Sequence, residues 1–218
     1  MVPSDGDVAT IVVAAGSGRR FGGPKQFARL GAETVLERSV RLARRSSDYV
    51  VVVLPVDRLE AGLAGVDAVV VGGATRSESV RAGLAVVPSS VGIVVVHDAA
   101  RPLASESLFS RVVTAVRSGA DGAVPGLPVR DTLKSVRDGW VRATLDRQSL
   151  VAVQTPQAFR SAALRSAHEG APEATDDASL VEAAGGRVAL VSGEEWNMKL
   201  TTPADLRLAQ AWLDAGAR

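Results

Sequence analysis

Cysteine is absent from the 218-residue sequence, histidine occurs only twice, and aromatic residues make up 4% of the chain. Without cysteine there can be no disulfide, thiolate metal site or cysteine nucleophile. The two histidines, His97 and His168, are too few and too far apart in sequence for a zinc site. The core must therefore be built largely from valine, alanine and leucine, and an apolar fraction of 46% suffices for a substantial one.

Charge and hydropathy exclude further classes of protein. The net charge is +1 at pH 7, so no overall field attracts nucleic acid or a membrane surface, and any basic patch must be local. No apolar run reaches the ~18 residues of a membrane span. The polar, acidic residues 1–7 are unlike a signal peptide. We therefore expect a cytoplasmic protein with no membrane or nucleic-acid partner.

Short apolar runs alternate with helical patterns through the first half of the chain. The predicted strands are residues 8–14, 49–54, 68–71 and 92–96, and the predicted helices are residues 34–45, 57–63, 77–87 and 105–117. Continuous β-branched runs between amphipathic helices indicate a parallel sheet covered on both faces. The expected fold class is α/β, a three-layer, Rossmann-like and mostly parallel sheet, in a single domain over residues 1–218.

The second half begins with a pattern typical of a β-hairpin. Asp138-Gly139 is a strong two-residue turn signal, and it predicts that Val136 pairs with Val141 and Lys134 with Ala143. A lone ribbon is marginally stable in water, so this arm, at about residues 130–152, must pack on something. We expect a second copy of the chain, in a homodimer, and the alternative is that the arm folds back on its own domain.

Regular elements resume after the arm. Residues 155–157 predict a rigid extended corner, because a proline restricts the residue before it. Helical patterns follow at residues 160–168, 176–184 and 203–213, and residues 188–191 form a last strand candidate. The final helix has Pro203 in its first turn, where proline is well tolerated.

A glycine-rich segment, residues 14–25, follows the first predicted strand. Its glycines permit a tight turn that aims backbone N–H groups at an anion, and Arg20 and Lys25 add positive charge beside them. The segment is not a Walker A loop, because Pro24 precedes Lys25 and Gln26 replaces the serine or threonine. We interpret it as a cradle for a polyphosphate, and the alternative is a flexible basic surface turn.

Three polar segments follow three predicted parallel strands: residues 16–25, Gly72-Gly73 and residues 97–102. Ligands of open α/β sheets bind outside the carboxyl ends of the strands, so these segments should line one rim. Asp98 could hold magnesium, bind substrate hydroxyls, or cap the next helix. His97 is interpreted as a hydrogen-bonded structural residue at the end of a buried strand, and His168 as a solvated helix residue.

Several basic residues lie at turns or strand ends, where they could stabilise charge on phosphates: Arg20, Lys25, Arg101, Arg147 and Lys199. The arginines at 41, 44 and 45 lie on a helix and are interpreted as a solvated face. No Gly-x-Ser-x-Gly segment is present, so serine-triad hydrolysis is unsupported. Phosphoryl or nucleotidyl transfer, which depends on positioning and cationic stabilisation, suits this residue set better.

The segments together resemble a known family. The glycine-rich segment resembles the signature of sugar-nucleotide-type nucleotidylyltransferases. All the matching segments, taken in their order along the chain, resemble the 2-C-methyl-D-erythritol 4-phosphate cytidylyltransferase family. The matching segments are Ala14-Ala15-Gly16-Ser17-Gly18-Arg19-Arg20 with Pro24-Lys25-Gln26, Gly72-Gly73-x-x-Arg76-x-x-Ser79, His97-Asp98-Ala99-Ala100-Arg101-Pro102, Val129-Arg130-Asp131-Thr132, Asp146-Arg147, Gln154-Thr155-Pro156-Gln157, Thr175-Asp176-Asp177-Ala178 and Asn197-x-Lys199. They span nearly the whole chain in family order, so the set is far more specific than any one segment.

The resemblance implies transfer of a cytidylyl group from CTP to 2-C-methyl-D-erythritol 4-phosphate, with release of pyrophosphate, in isoprenoid precursor biosynthesis. It implies that Arg20 and Lys25 are catalytic, with Lys199 and Arg147 contributing. It implies Mg²⁺ as cofactor, held mainly by phosphate oxygens and water, so Asp98 is a candidate protein ligand from its residue type and position alone. The residues that match the nucleotide contacts are Ala14, Ala15, Gly16, Ser17, Gly18, Gly73 and Ser79.

On the acceptor side, the resemblance implies contacts from Asp98, Arg101, Thr155 and Lys199. Thr132 and Arg147 match residues that the partner subunit supplies across a homodimer. Ala74 departs from relatives that carry an acid after Gly73, which puts one nucleobase or ribose contact in doubt. Two other functions stay open: a cytidylyltransferase for another polyol phosphate such as ribitol 5-phosphate, and a non-catalytic nucleotide-binding regulator on the same fold.

Overall fold

The computed structural model describes residues 7–59 and 62–216. Its strands are β1 Val8–Val13, β2 Arg29–Leu30, β3 Glu33–Thr34, β4 Tyr49–Leu54, β5 Ala68–Val71, β6 Ile93–Asp98, β7 Gly122–Pro128, β8 Lys134–Arg137, β9 Trp140–Thr144, β10 Val151–Val153, β11 Gln157–Arg160 and β12 Val188–Ser192. Its α-helices are α1 Val35–Ser46, α2 Arg76–Val86, α3 Glu106–Arg117, α4 Ser161–Ala167, α5 Asp177–Ala183 and α6 Pro203–Asp214.

The central sheet has the strand order β10–β7–β11–β6–β1–β4–β5, with β12 beside β7. Strands β6, β1, β4 and β5 run parallel to one another, and β12 is parallel to β7. Strand β11 is antiparallel to both β6 and β7, and β10 is antiparallel to β7. The predicted α/β class with a mostly parallel sheet is confirmed, and the antiparallel strands β10 and β11 make the sheet a mixed one.

Helices cover both faces of the sheet because successive side chains of each strand point in opposite directions. Ile11 of β1 and Val53 of β4 pack with Val80 of α2, on the face that α4 and α5 also cover. Val12 of β1 packs on the other face with Val40 of α1, and α3 extends that layer beneath β6 and β7. Full burial of each such valine contributes about 1.5–3 kcal/mol, so the continuous β-branched runs specify this three-layer arrangement.

One predicted helix, at residues 57–63, is not found among the described residues of that segment. The segment at 57–63 contains only a 3₁₀ turn over Val56–Arg58, and residues 60–61 lie outside the described part of the chain. Pro55 precedes the turn and Gly62 lies close behind it, so too few residues remain to offset the cost of helix nucleation. By contrast, α1 and α2 begin with complete capping boxes, at Thr34 and Thr75.

The β8–β9 hairpin forms a separate two-stranded sheet around the predicted turn. Val136 pairs with Val141 as predicted, but Lys134 pairs with Thr144 and not with Ala143, because a bulge after Ser135 shifts the register by one residue. Val136, Trp140 and Val141 expose 61%, 72% and 62% of their surface. Within the described residues, the β8–β9 hairpin therefore does not pack on its own domain, whereas β10, at the end of the arm, joins the central sheet beside β7.

Candidate active site

The three polar segments predicted to share a rim do line one cavity, of about 420 Å³, at the carboxyl ends of β1, β5 and β6. Its lining residues are Val13, Ala14, Ala15, Gly16, Ser17, Arg20, Lys25, Gln26, Gly73, Ala74, Thr75, Arg76, Ser79, Asp98, Ala99, Ala100 and Lys199. Most sequence-predicted site residues are in that set. Gly18, Arg101, Thr132, Arg147 and Thr155 are not.

The glycine-rich loop is closed by Gly18. Its carbonyl accepts hydrogen bonds from the N–H groups of Phe21, Gly22 and Gly23. Gly18 has a φ of 67°, and a Cβ there would lie 1.8 Å from the Gly23 carbonyl oxygen. No side chain fits at Gly18, so its role is to fold the loop that carries Arg20.

Gln26 supports the other side of the loop, a role that sequence reasoning missed. Its buried side-chain amide donates to the carbonyls of Ala14, at 2.8 Å, and Gly16, at 3.1 Å. Lys25 and Gln26 belong to a short 3₁₀ turn over Lys25–Phe27. Gln26 therefore anchors the same turn that places the Lys25 ammonium group at the cavity. The sequence did mark this position as unusual, because Gln26 replaces the serine or threonine of a Walker A loop.

Lys25 lies in a strongly cationic and partly desolvated position. Burial lowers the pKa of Lys25 from the ordinary value of 10.5, and the charges of Lys199 and Arg20 lower it further. Asp98 and Asp205 oppose this effect but do not cancel it. Three cations thus converge on one small cavity, an arrangement that attracts a polyanion.

This lowered pKa predicts an alkaline limit to catalysis. We expect activity to require the charged ammonium group, so kcat/KM should fall as Lys25 loses its proton, at a pH below the ordinary lysine value of 10.5. In Lys25→Arg the guanidinium stays charged, so the alkaline limb of the pH profile of kcat/KM should move to higher pH. An unmoved alkaline limb in Lys25→Arg would show that another group controls it.

Asp98, at the end of β6, links two cations that line the cavity. Its Oδ1 accepts from Arg76 Nε at 3.2 Å, and its Oδ2 from Lys199 Nζ at 2.6 Å. Although burial by itself raises the pKa of the Asp98 carboxyl, Arg76 and Lys199 hold it well below the usual range. Asp98 is therefore an anion whose charge is balanced locally, and Arg76, which the sequence analysis gave no role, is one of its partners.

Thr155 and Arg101 lie next to this carboxylate without lining the cavity. The Thr155 hydroxyl accepts the backbone N–H of Asp98 at 3.1 Å. The Arg101 guanidinium donates to the carbonyl of Asn197 at 2.7 Å, and burial lowers the pKa of Arg101. The Asn197 side chain also donates to the Thr155 carbonyl at 2.9 Å, so the fully buried residue Asn197 connects Thr155 and Arg101 to the segment that carries Lys199.

Arg147 and Thr132 belong to the arm and lie outside the cavity. The Arg147 guanidinium donates to the carbonyl of Arg130, and Arg147 lines a separate cleft with Pro128 and Leu150. Thr132 is exposed. A single chain therefore does not bring these two residues to the other site residues.

The two histidines are both structural in position. His97 is fully buried, as interpreted from the sequence, and its Nδ1 lies 3.3 Å from the Thr155 hydroxyl. Burial is the main reason that the pKa of His97 falls to about 4. The interpretation of His168 as solvated is wrong, because it is buried and its Nε2 lies 3.0 Å from Asp177 Oδ1. Packing of α5 against α4 brings these two residues together, which local helical periodicity does not reveal.

The arginines of α1 are only partly a solvated face. Arg41 binds Glu33 through two nitrogens, Arg44 binds Asp67 and Arg45 binds Glu106. The charges of these three arginines are therefore paired with carboxylates away from the cavity. The positive charge at the cavity comes instead from the glycine-rich loop, Arg76 and Lys199.

The part of the cavity that the structure describes offers too few protein ligands to bind Mg²⁺ by themselves, so substrate phosphates would have to supply most of the coordination. Within the described residues, no group of three or more histidine, aspartate or glutamate side chains could hold a metal ion. Among the described residues that line the cavity, Asp98 is the one carboxylate. Mg²⁺ favours one or two carboxylates together with substrate phosphates and water, so a single carboxylate at the cavity, Asp98, is compatible with it.

An α/β sheet with a glycine-rich loop after its first strand, and with cations that converge on a cavity at the carboxyl ends of its strands, is typical of the nucleotidyltransferase class of enzymes. The comparisons with known proteins specify the family. Residues 8–215 match the family model described as IspD, 2-C-methyl-D-erythritol 4-phosphate cytidylyltransferase. The chain belongs to this family.

Individual relatives agree with this assignment. The chain is 45% identical to the 2-C-methyl-D-erythritol 4-phosphate cytidylyltransferase of Nocardia farcinica, over 98% of this chain and 97% of that one. It is 46% identical to that of Rhodococcus jostii over the full length of both. It is 47% identical to the bifunctional enzyme IspD/IspF of Clavibacter michiganensis, of whose length it covers 56%. The crystal structure of the Thermus thermophilus enzyme superposes with a TM-score of 0.83 at 38% identity, covering 95% of this chain and 99% of that one.

Proposed function

We propose that this cavity is where the chain performs the reaction of its family. As a cytidylyltransferase of isoprenoid biosynthesis, the chain transfers a cytidylyl group from CTP to 2-C-methyl-D-erythritol 4-phosphate and releases pyrophosphate. One observation supports the cavity as the site: the glycine-rich loop, Gly73, Asp98 and Lys199 all line it, although they come from distant parts of the sequence.

CTP occupies the end formed by the glycine-rich loop in this proposal. Backbone groups of residues 14–18, with Gly73 and Ser79, contact the nucleoside and phosphates. Lys25 and Arg20 stabilise charge that develops on the α-phosphate and the leaving pyrophosphate. The loop that carries them needs little reorganisation during the reaction, because Gln26 and Gly18 already hold its backbone.

The acceptor occupies the end formed by Asp98 and Lys199. Asp98 accepts hydrogen bonds from acceptor hydroxyls, and Lys199, with Arg101 and Thr155, positions the acceptor phosphate. That phosphate attacks the α-phosphorus of CTP in line with the leaving pyrophosphate. Asp98 would hold Mg²⁺ together with substrate phosphates and water, and the bound ion would supply further charge neutralisation.

Two further parts of the proposal concern assembly and location. The exposed apolar arm joins two chains as a homodimer, and Arg147 and Thr132 then complete the partner's acceptor site. A cytoplasmic location fits a reaction that consumes CTP. Among the described residues, no helix has both the length and the apolar character needed to cross a bilayer.

Pyrophosphate release tests the activity and its specificity. The chain with Mg²⁺, CTP and 2-C-methyl-D-erythritol 4-phosphate should release pyrophosphate, ATP or GTP should replace CTP poorly, and EDTA should stop the reaction. Ribitol 5-phosphate is the matched alternative acceptor. Faster turnover with ribitol 5-phosphate would reassign the acceptor, and nucleotide binding without turnover of either acceptor would favour a regulatory protein.

A further inference from the structure

A line of charged contacts leads from the cavity into the protein interior. Asp98 Oδ1 accepts from Arg76 Nε at 3.2 Å, and Arg76 Nη1 donates to Asp177 Oδ2 at 2.7 Å. The other oxygen of Asp177, Oδ1, lies 3.0 Å from His168 Nε2. Arg76 opens α2, Asp177 opens α5 and His168 follows α4, so the line connects three helices to the end of β6.

Asp177 is an unusual group to find at such a depth. Its side chain is 1% exposed, and it does not line the cavity. A buried carboxylate carries a large desolvation cost, which only well-placed partners offset. Arg76 supplies that partner, and Asp98 and Asp177 together raise the pKa of the Arg76 guanidinium against the effect of burial. Arg76 is thus a fixed cation held between one carboxylate in the cavity and one behind it.

We propose that Asp177, supported by His168, is a positioning residue for the transfer reaction, and that it acts through Arg76. By holding the guanidinium, Asp177 makes Arg76 present Nε to one oxygen of Asp98 while Lys199 binds the other. This fixes the plane of the Asp98 carboxylate and leaves its remaining lone pairs for acceptor hydroxyls. The inference rests on the contact between Asp98 and the acceptor proposed above.

The consequence is a selective defect. Asp177→Asn keeps the shape of the side chain but removes the charge that anchors Arg76. Loss of one charge-assisted interaction corresponds to a change of about tenfold or more in binding. We expect KM for 2-C-methyl-D-erythritol 4-phosphate to rise about tenfold and KM for CTP to stay within about twofold, because the nucleotide cradle does not contact Asp177. A role in folding alone would lower the active fraction and leave both KM values unchanged.

The matched control is Arg81→Gln. Arg81 also joins α2 to the segment before α5, through the Pro172 carbonyl and Glu173, but it contacts neither Asp98 nor the cavity. This variant should keep both KM values. In the double variant Arg76→Lys/Asp177→Asn, the second change should add little to the first, since lysine lacks the fork that bridges two carboxylates. An additive rise in KM would mean that Asp177 does not act through Arg76.

Further variants separate the possible failures. If Asp177→Asn does not fold, His168→Leu carries the same test, with the same rise in acceptor KM expected and His168→Gln expected to restore it. Unchanged acceptor KM in these variants would overturn the inference. Asp98→Asn tests the proposed function independently: if it leaves the acceptor KM unchanged, the role of Asp98 fails, and the role of Asp177 fails with it.

Discussion

Replacement of Lys25 by alanine is expected to lower kcat by about 10²–10³-fold while the protein stays folded. This is the usual effect of removing one preorganised donor or cation from a charged transition state, about 2.7–4 kcal/mol. Lys25 lies at the cavity beside Arg20 and Lys199, and burial together with these cations already lowers its pKa. Removal of the ammonium group relieves this repulsion in the free protein, so little stability should be lost. Steady-state kinetics and a thermal melt of the same sample measure both quantities.

Arg19→Ala is the matched control for this prediction. Arg19 is a neighbouring cation of the same loop, but it is exposed and does not line the cavity. Its removal should leave kcat within about twofold, as is usual for surface substitutions. If Lys25→Ala lost activity only in proportion to lost folded protein, or if Arg19→Ala were equally damaging, the polyphosphate cradle would not be where we propose it.

The parts of the fold that depend on local burial could be predicted from the sequence. Strand β4, Tyr49–Leu54, occurs where it was predicted, because a run of β-branched residues buried on both faces has few alternatives. The common rim could also be predicted, since parallel strands place all their carboxyl ends on one side of the sheet. Gly18 was predicted as part of the cradle, and its positive φ explains why a glycine stands there.

The hairpin shows where local reasoning fails. Its turn at Asp138-Gly139 was correct, but the pairing of Lys134 was wrong by one residue. Both faces of the arm are exposed within the chain, so no buried face fixes the register, and a bulge costs little.

Contacts between residues far apart in sequence could not be predicted either, and most of these contacts are at the candidate site. Arg76 and Asp177 are 101 residues apart, as are Lys199 and Asp98, and only the packing of α2, α5 and the segment before α6 brings each pair together. His168 was misjudged for the same reason, since its partner Asp177 belongs to the next helix. Residue patterns indicate which groups can carry charge at a rim, whereas the pairing of those groups follows from tertiary structure.

Arg147→Ala is expected to reduce kcat/KM for the acceptor about 10²-fold, although Arg147 lies outside the cavity of its own chain. Its guanidinium is on the arm, bonded to the Arg130 carbonyl in a separate cleft. A cation there can stabilise the reacting phosphates only if the arm reaches the cavity of a second chain. Large hydrophobic side chains exposed on the arm, Trp140 among them, suit that contact.

Mixed dimers distinguish this explanation from a defect within one chain. A subunit with Lys25→Ala has an inactive cavity but an intact arm, and a subunit with Arg147→Ala has the reverse. In a two-fold dimer, a mixed pair contains one site with both an intact cavity and an intact arm. Random exchange of equal amounts of the two variants makes half of the dimers mixed. Because each mixed dimer has one of its two sites intact, the mixture should recover about a quarter of wild-type activity. The readout is pyrophosphate release before and after subunit exchange, with each variant alone as control. If the mixture only averages the two parents, the site is not shared and Arg147 acts within its own chain.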